Sequence, residues 1–340
     1  MSGRTWRLAV AGCGAAAFGL HLPVLAAHPD FDVVAVCDRE PARAEAAARK
    51  FGIPAVAGNP GDLLRDADML VVLTGVHDSL IEAGLAAGRH VFTEKPVTLD
   101  IGRTRQLRQQ AQAAGLLLEV GAMRAFDPAL HALLAAVPAP AGGWLVKADG
   151  ADAAARRRIL PGGFAPYTFA ADPPPALPAG LDGTQATALK TLLWEGYHLL
   201  TALVLAVPAP AAVTCAVDLA DGAVHATAAD TAGHLYAIVV GRPPAGEFTE
   251  QVRLHGPDAS ATLDFPPPYT PGQSPRLTTA SDTSGTFGDP FACMWNEVSR
   301  HLAGEHPAAG SAAIAEQVEH LALHLALAAR PAPGEGDRRA

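Results

Sequence analysis

From Arg7 to Gly121 the chain alternates short apolar runs with amphipathic stretches. The apolar runs are Arg7–Ala11, Val33–Cys37, Met69–Thr74, His90–Thr93 and Leu116–Gly121. Their length and their apolar residues on both parities predict strands buried on two faces. Helical periodicity falls between them, at Ala16–Ala27, Pro41–Lys50, Leu80–Ala87 and Ile101–Ala114, with Asp100 placed to cap the last. Strand and helix in strict alternation predict a doubly wound parallel sheet. Asp127-Pro128 opens a further helix that ends near Val137, and the Pro/Ala/Gly run Pro138–Gly143 follows it.

Beyond that run the period changes to two. Trp144–Lys147, Ala212–Leu219, Ala223–Ala228, His234–Val240, Thr249–His255 and Ala261–Phe265 read as strands of a meander, with Asp221-Gly222 as a hairpin turn. The fold class is therefore α/β, an N-terminal Rossmann sheet plus a C-terminal α+β domain with a large, mostly antiparallel open sheet. Within His234–Val240, Leu235, Ala237 and Val239 make one face apolar and Tyr236, Ile238 and Val240 the other. One helix layer covers one face, and a second subunit is expected on the other, as a homodimer or homotetramer. A single apolar helix is predicted over Leu189–Leu205, and others over Phe291–Ala303 and Ile314–Ala329. Pro161–Pro178 and Pro266–Pro290 read as long loops on the substrate side, either lids or disordered segments. The expected domains are residues 1–125, 126–330 and a disordered tail, 331–340.

Composition narrows the function. In 340 residues, 49% hydrophobic content marks a folded globular chain, and no apolar run is long enough for a convincing membrane span. A net charge of −9 without a basic stripe argues against nucleic acid. Cys13, Cys37, Cys215 and Cys293 form no Cys-x-x-Cys pair, which fits a reducing compartment and speaks against a cysteine zinc site. Glu316, His320 and His324 share a helix face, but with no clustered partners the reading is an amphipathic face and no metal. Val10-Ala11-Gly12-Cys13 resembles a lipoprotein cleavage box, yet the apolar stretch before it is too short for a signal peptide. The expected location is the cytoplasm.

The first strand runs into Gly12-Cys13-Gly14-Ala15-Ala16-Ala17-Phe18 and a helix. Gly12 permits the turn, Gly14 lets the backbone approach a pyrophosphate, Ala17 allows close helix packing, and the helix N-terminus faces the phosphates. The second strand ends at Asp38, placed to accept from a ribose, with Arg39 beside it. Asp38 favours NAD(H); Arg39 leaves NADP(H) open. Thr74, Gly75 and His77 follow the third strand, at the edge where cofactors bind. Glu94-Lys95-Pro96 follows the fourth, and the Lys95–Pro96 bond suggests a constrained, cis peptide.

These segments resemble the glucose–fructose oxidoreductase, inositol dehydrogenase and rhizopine-catabolism (Gfo/Idh/MocA) family. The resemblance lies in Gly12–Ala17, Thr74-Gly75-Val76-His77, Ala86–Val91, Glu94-Lys95-Pro96 and Val120–Pro128. It implies a hydride exchanged between a nicotinamide and a hydroxyl or ketone carbon of a sugar, cyclitol or related metabolite. It implies that Lys95 and His198 flank the reacting oxygen. Beside a pyridinium and partly desolvated, Lys95 would give up a proton readily. The family's third motif, Asp-x-Gly-x-His-x-x-Asp, is represented by Trp194-Glu195-Gly196-Tyr197-His198-Leu199-Leu200-Thr201. Gly196 and His198 match, Trp194 and Thr201 replace the acids, and Glu195 sits one position late. Glu195 is a candidate to orient His198. Arg124, Trp194, Tyr197 and Thr201 are candidate substrate contacts, the indole suiting a sugar face or a flat ring. Two alternatives stand: reduction of a C=N bond or conjugated ring on the same fold, and a nucleotide-binding sensor without catalysis.

Overall fold

The computed structural model describes residues 4–150, 152–160, 164, 175–207, 210–241, 247–270, 272–305 and 311–332. They form two compact units, neither continuous in sequence. The first gathers residues 1–121, 153–176 and 291–313; the second gathers 122–152, 177–290 and 314–340. The contiguous division expected near residue 125 thus meets two returns of the chain to the first unit.

The first unit holds strands β1 (Trp6–Ala11), β2 (Phe31–Cys37), β3 (Ala55–Val56), β4 (Met69–Val72), β5 (His90–Thr93) and β6 (Leu118–Val120). Their order is β3-β2-β1-β4-β5-β6, every pair parallel. Leu8, Ala9 and Val10 are fully buried, as a sheet covered on both faces requires. The connecting helices are α1 (Leu22–Ala27), entered through a π-helical turn at Ala17–His21, α2 (Pro41–Phe51), the short α3 (Pro60–Leu63), α4 (Asp78–Ala86) and α5 (Ile101–Ala113). Asp100 caps α5 by accepting from the Gly102 N–H at 2.9 Å. The order reverses between β1 and β4, which puts the Gly12 loop at the switch point where such sheets bind ligands.

Much later residues complete this unit. Trp295 is fully buried, its ring 4.4 Å from that of Phe92 and 5.4 Å from that of Phe31. Glu119 on β6 meets His301 Nδ1 at 2.7 Å and accepts a hydrogen bond from the Ser311 hydroxyl, which in turn accepts the Val120 N–H at 2.8 Å. Burial of these groups disfavours charge, yet the hydrogen bond to Glu119, helped by its charge, raises the pKa of His301 above the ordinary value.

The second unit opens with a 3-10 turn at Met123–Phe126 and α6 (Pro128–Ala136), capped by Asp127, which accepts from the Ala129 N–H at 2.9 Å. Then come β7 (Gly143–Asp149), α7 (Asp152–Ile159), α8 (Gly183–Trp194), α9 (Tyr197–Ala206) and strands β8 (Ala212–Val217), β9 (Val224–Ala229), β10 (Leu235–Gly241), β11 (Phe248–His255), β12 (Ser260–Phe265), β13 (Arg276–Thr279) and β14 (Thr283–Ser284). Helices α10 (Pro290–Leu302) and α11 (Ser311–Leu327) and strand β15 (Ala329–Pro331) close the chain.

The strand order is β14-β13-β12-β11-β7-β10-β9-β8-β15. The meander expected from sequence is therefore interrupted. β7 sits between β10, to which it is parallel, and β11, to which it is antiparallel. Its inward row, Leu145 and Lys147, is buried between both neighbours, and local periodicity carries no sign of that insertion. The segment 266–290, expected as a loop, contains the hairpin β13–β14. Most of residues 161–178 and the tail from residue 333 lie outside the described residues, while Pro331 pairs with Val217. One face of the sheet is buried, with α6, α8 and α9 packed on it. On the other, Trp144 is 37% and Leu235 60% exposed. No described helix is long and apolar enough to cross a membrane.

Candidate active site

The two units each carry part of the predicted chemistry. In the first, Gly12 has φ +97°, and a Cβ there would stand 2.7 Å from the Leu73 carbonyl oxygen. Its N–H donates to the Cys37 carbonyl at 2.8 Å, so the loop is hemmed in by its own sheet. A Cβ on Gly14 would meet nothing within 4 Å, which leaves open space in front of the helix start. Asp38 borders the loop: Oδ2 accepts the Cys13 N–H at 2.7 Å and Oδ1 the Glu40 N–H at 2.9 Å. Ala15 and Ala16 are half-buried, Ala17 and Phe18 are buried, and Arg39 is exposed. A bare loop with room before it, a helix N-terminus and an adjacent carboxylate fit a pyrophosphate and a ribose.

The two following loops are tied together. His77 is buried, with Nδ1 2.8 Å from the Pro96 carbonyl and Nε2 2.6 Å from the Thr74 carbonyl. The Thr74 hydroxyl donates to the Val76 carbonyl at 2.7 Å, and Gly75 is half-buried. The Lys95–Pro96 bond is cis.

Glu94 is held at both oxygens. Oε1 lies 3.0 Å from His21 Nε2, and Oε2 accepts the Lys95 N–H at 3.0 Å. Trp295 Nε1 donates to His21 Nδ1 at 3.3 Å, which assigns the remaining ring proton to Nε2. Burial would raise the Glu94 pKa, but the His21 hydrogen bond, with the charge of Lys95, holds it below the ordinary value. A fixed carboxylate therefore sits next to Lys95 in the chain. Neither His21 nor Trp295 stands out in the sequence, and they reach Glu94 only through the fold.

In the second unit the helix predicted over Leu189–Leu205 is broken. The Gly196 N–H reaches back five residues to the Thr191 carbonyl at 3.1 Å, and Gly196 fits where a Cβ would be 3.0 Å from Val240 Cγ2. The simple i, i+4, i+7 face proposed for Trp194, His198 and Thr201 is thereby interrupted. Trp194 and Glu195, both half-buried, line a cleft of about 200 Å³ with Lys190, Asp221 and Gly222. Tyr197 is fully buried, its ring 6.3 Å from that of His198. Thr201 is also buried, and its hydroxyl donates to the Tyr197 carbonyl at 2.9 Å.

Arg124 is bound into a charge cluster. It donates to Asp127 at 2.6 Å and to Glu250 at 2.9 Å, with its guanidinium 3.6 Å from the centre of the Phe265 ring. Lys147 reaches the other Glu250 oxygen at 2.9 Å. All four charged groups are at least nine-tenths buried. Burial would raise the Glu250 pKa; the charges of Lys147, Arg124 and His198 outweigh it and hold the carboxyl far below its ordinary value.

Residues 6–122 match the Gfo/Idh/MocA profile, described as an oxidoreductase family with an NAD-binding Rossmann fold. A myo-inositol dehydrogenase of Streptomyces leeuwenhoekii is 39% identical over 126 residues, 36% of this chain and 38% of the relative. A dTDP-3,4-didehydro-2,6-dideoxy-alpha-D-glucose 3-reductase of Streptomyces antibioticus is 42% identical over 115 residues, 33% of this chain and 35% of the relative. The chain thus spans less than half the length of these relatives. The fold extends further. A 3-ketoreductase from Actinomadura kijaniata, crystallised with NADP and TDP-benzene, is similar over 96% of this chain and 99% of its own, with TM-score 0.74 at 21% identity. The fold of that ketoreductase therefore accounts for both units, and the NAD-binding Rossmann segment 6–122 is compatible with NAD or NADP.

Proposed function

We propose that the protein is an NAD(P)-dependent oxidoreductase acting on a hydroxyl or ketone carbon of a sugar, cyclitol or related small metabolite. The observation that carries this reading is Lys95, set between a carboxylate pinned at both oxygens and a cis proline, on the carboxyl edge of a family nucleotide domain. When bound, the nicotinamide dinucleotide supplies or takes up the hydride.

The chain's own groups handle the proton and the orientation. The loop at Gly12 and Gly14, with Asp38, holds the dinucleotide. Lys95 stabilises the developing alkoxide and passes a proton to or from that oxygen. On the second unit, His198 is the second proton-handling group. Trp194, Tyr197, Arg124 and Thr201 shape the substrate pocket, the last two through the bonds that fix their surroundings. Cyclitol and keto-sugar chemistry in the relatives supports the substrate class. Asp38, its carboxylate beside the loop, supports a preference for NAD(H) over NADP(H).

The protein acts in the cytoplasm as a homo-oligomer joined through the exposed sheet face, and has neither membrane nor nucleic acid as partner. Four free cysteines, the exposed Trp144 and Leu235, and a net charge of −9 support these points. The test is oxidation or reduction of a panel of cyclitols and keto-sugars, followed at the NAD(P)H absorbance. Turnover with one of them establishes the reading. Activity confined to imines, or dinucleotide binding with no turnover, overturns it.

A further inference from the structure

One side chain joins the Gly12–Gly14 loop to the Lys95 loop. The helix behind Gly14 opens with the wide turn Ala17–His21, where the Leu22 N–H reaches back five residues to the Ala17 carbonyl. Such turns recur at functional sites. His21 ends the turn, fully buried, its ring 5.5 Å from that of Phe92, 5.2 Å from that of Phe291 and 5.9 Å from that of Trp295. The Trp295 indole N–H can only donate, so His21 Nδ1 accepts it at 3.3 Å and the ring proton stays on Nε2. Nε2 then donates to Glu94 Oε1 at 3.0 Å. Flipping the ring would strand the indole N–H in the core.

The carboxylate is confined from the other side as well. A Cβ on Gly121 would stand 2.6 Å from Glu94 Oε1, so the bare backbone after β6 walls that oxygen in. Oε2 accepts the Lys95 N–H at 3.0 Å. Two separate donors thus each take one oxygen, which a carboxylate can satisfy and a side-chain amide cannot.

We propose that His21 is a positioning residue for Lys95: locked by Trp295, it aims the Glu94 carboxylate, which anchors the backbone that carries the lysine. This rests on the reading of Lys95 as the proton-handling group. A misplacement of about 1 Å at such a group can cost on the order of 10²-fold in rate, so the anchor has catalytic weight without touching substrate.

The test uses the full chain labelled with nitrogen-15 at lysine. Its four lysines, Lys50, Lys95, Lys147 and Lys190, give four amide signals, and the Lys95 signal is the one lost in Lys95→Met. His21→Leu should make the Lys95 amide exchange with deuterium about tenfold faster, the scale of one weakened charge-assisted hydrogen bond. It should lower kcat by about 10–100-fold and leave the dinucleotide dissociation constant within a few-fold. His21→Gln, whose amide nitrogen falls where Nε2 does, should restore both the protection and kcat. Should His21→Leu fail to fold, Glu94→Gln decides alone. His21, its proton fixed on Nε2, keeps the single amide oxygen, and the Lys95 N–H is left facing an NH2 group. A Lys95 amide that stays protected in folded His21→Leu, or in Glu94→Gln, overturns the proposal. So does a loosened amide with unchanged kcat where Lys95→Met abolishes turnover. A loosened amide in a protein that has no turnover, or that keeps it in Lys95→Met, supports the anchor and counts against the catalytic reading of Lys95 instead.

Discussion

His21 Nε2 and Glu94 Oε1 lie 3.0 Å apart, and the other Glu94 oxygen accepts the backbone N–H of Lys95. A fully buried imidazole thus fixes the carboxylate that neighbours the candidate catalytic lysine. Lys95→Met should keep dinucleotide affinity within a few-fold and cut turnover by about 10²–10⁴. Intact turnover on the true substrate, measured with stopped-flow and steady-state assays, would show that Lys95 does not carry the proton.

The two loop glycines should separate folding from binding. Gly12→Ala places a Cβ 2.7 Å from a carbonyl oxygen at φ +97°, and strain of that kind costs about 1–3 kcal/mol in denaturant titration. At Gly14 an added Cβ meets nothing within 4 Å, which is the basis for testing Gly14→Val. That variant should melt near the parent temperature while losing dinucleotide binding in calorimetry.

Asp38 is expected to set the cofactor balance. Its carboxylate lies against the loop, where it would repel a 2′-phosphate. Dissociation constants should favour NADH over NADPH, and Asp38→Ser should narrow or reverse the ratio. Tighter NADPH binding by the parent protein would show that Arg39 dominates.

Stability should fall on the alkaline side. The folded pKa of His301 lies above its ordinary 6.5 because of Glu119. The unfolded chain then binds fewer protons in that range, so the stabilisation is complete below about pH 6.5 and is lost as pH rises through the folded value. His301→Gln should flatten this limb in urea titrations at several pH values. A limb unchanged in that variant would place its origin elsewhere.

The exposed sheet face should mediate assembly. Light scattering should give at least twice the chain mass of 34.9 kDa, and Leu235→Glu should shift the population to monomer.

Much of this architecture is legible in the sequence because short-range periodicity encodes it. The parallel strands, the Gly12 loop, the caps at Asp100 and Asp127 and the cis bond at Lys95–Pro96 follow from local residue types. The charge cluster does not, because Lys147 and Glu250 are 103 residues apart and meet only across β7 and β11. One signal was available: Glu250 shares strand parity with the buried Val252 and Leu254, so it had to be buried and matched. The break at Gly196 was hidden for another reason. Its apolar flanks satisfy helical periodicity, and the break shows only in the folded backbone, where the Gly196 N–H reaches back to the Thr191 carbonyl. His21 and Trp295 lie 274 positions apart, beyond any local pattern.

The late arrival of Trp295, His301 and Ser311 in the first unit has a consequence for the nascent chain. A ribosome that has released the segment up to Ala125 has delivered every strand of the parallel sheet. It has not delivered the indole that seals Phe92 and Phe31, nor either partner of the Glu119 carboxylate. The sheet must wait, partly uncovered, while the whole antiparallel sheet's main body is translated. An expression fragment cut at the apparent end of the nucleotide fold would inherit that unfinished surface permanently, and aggregation is the fate of such a surface.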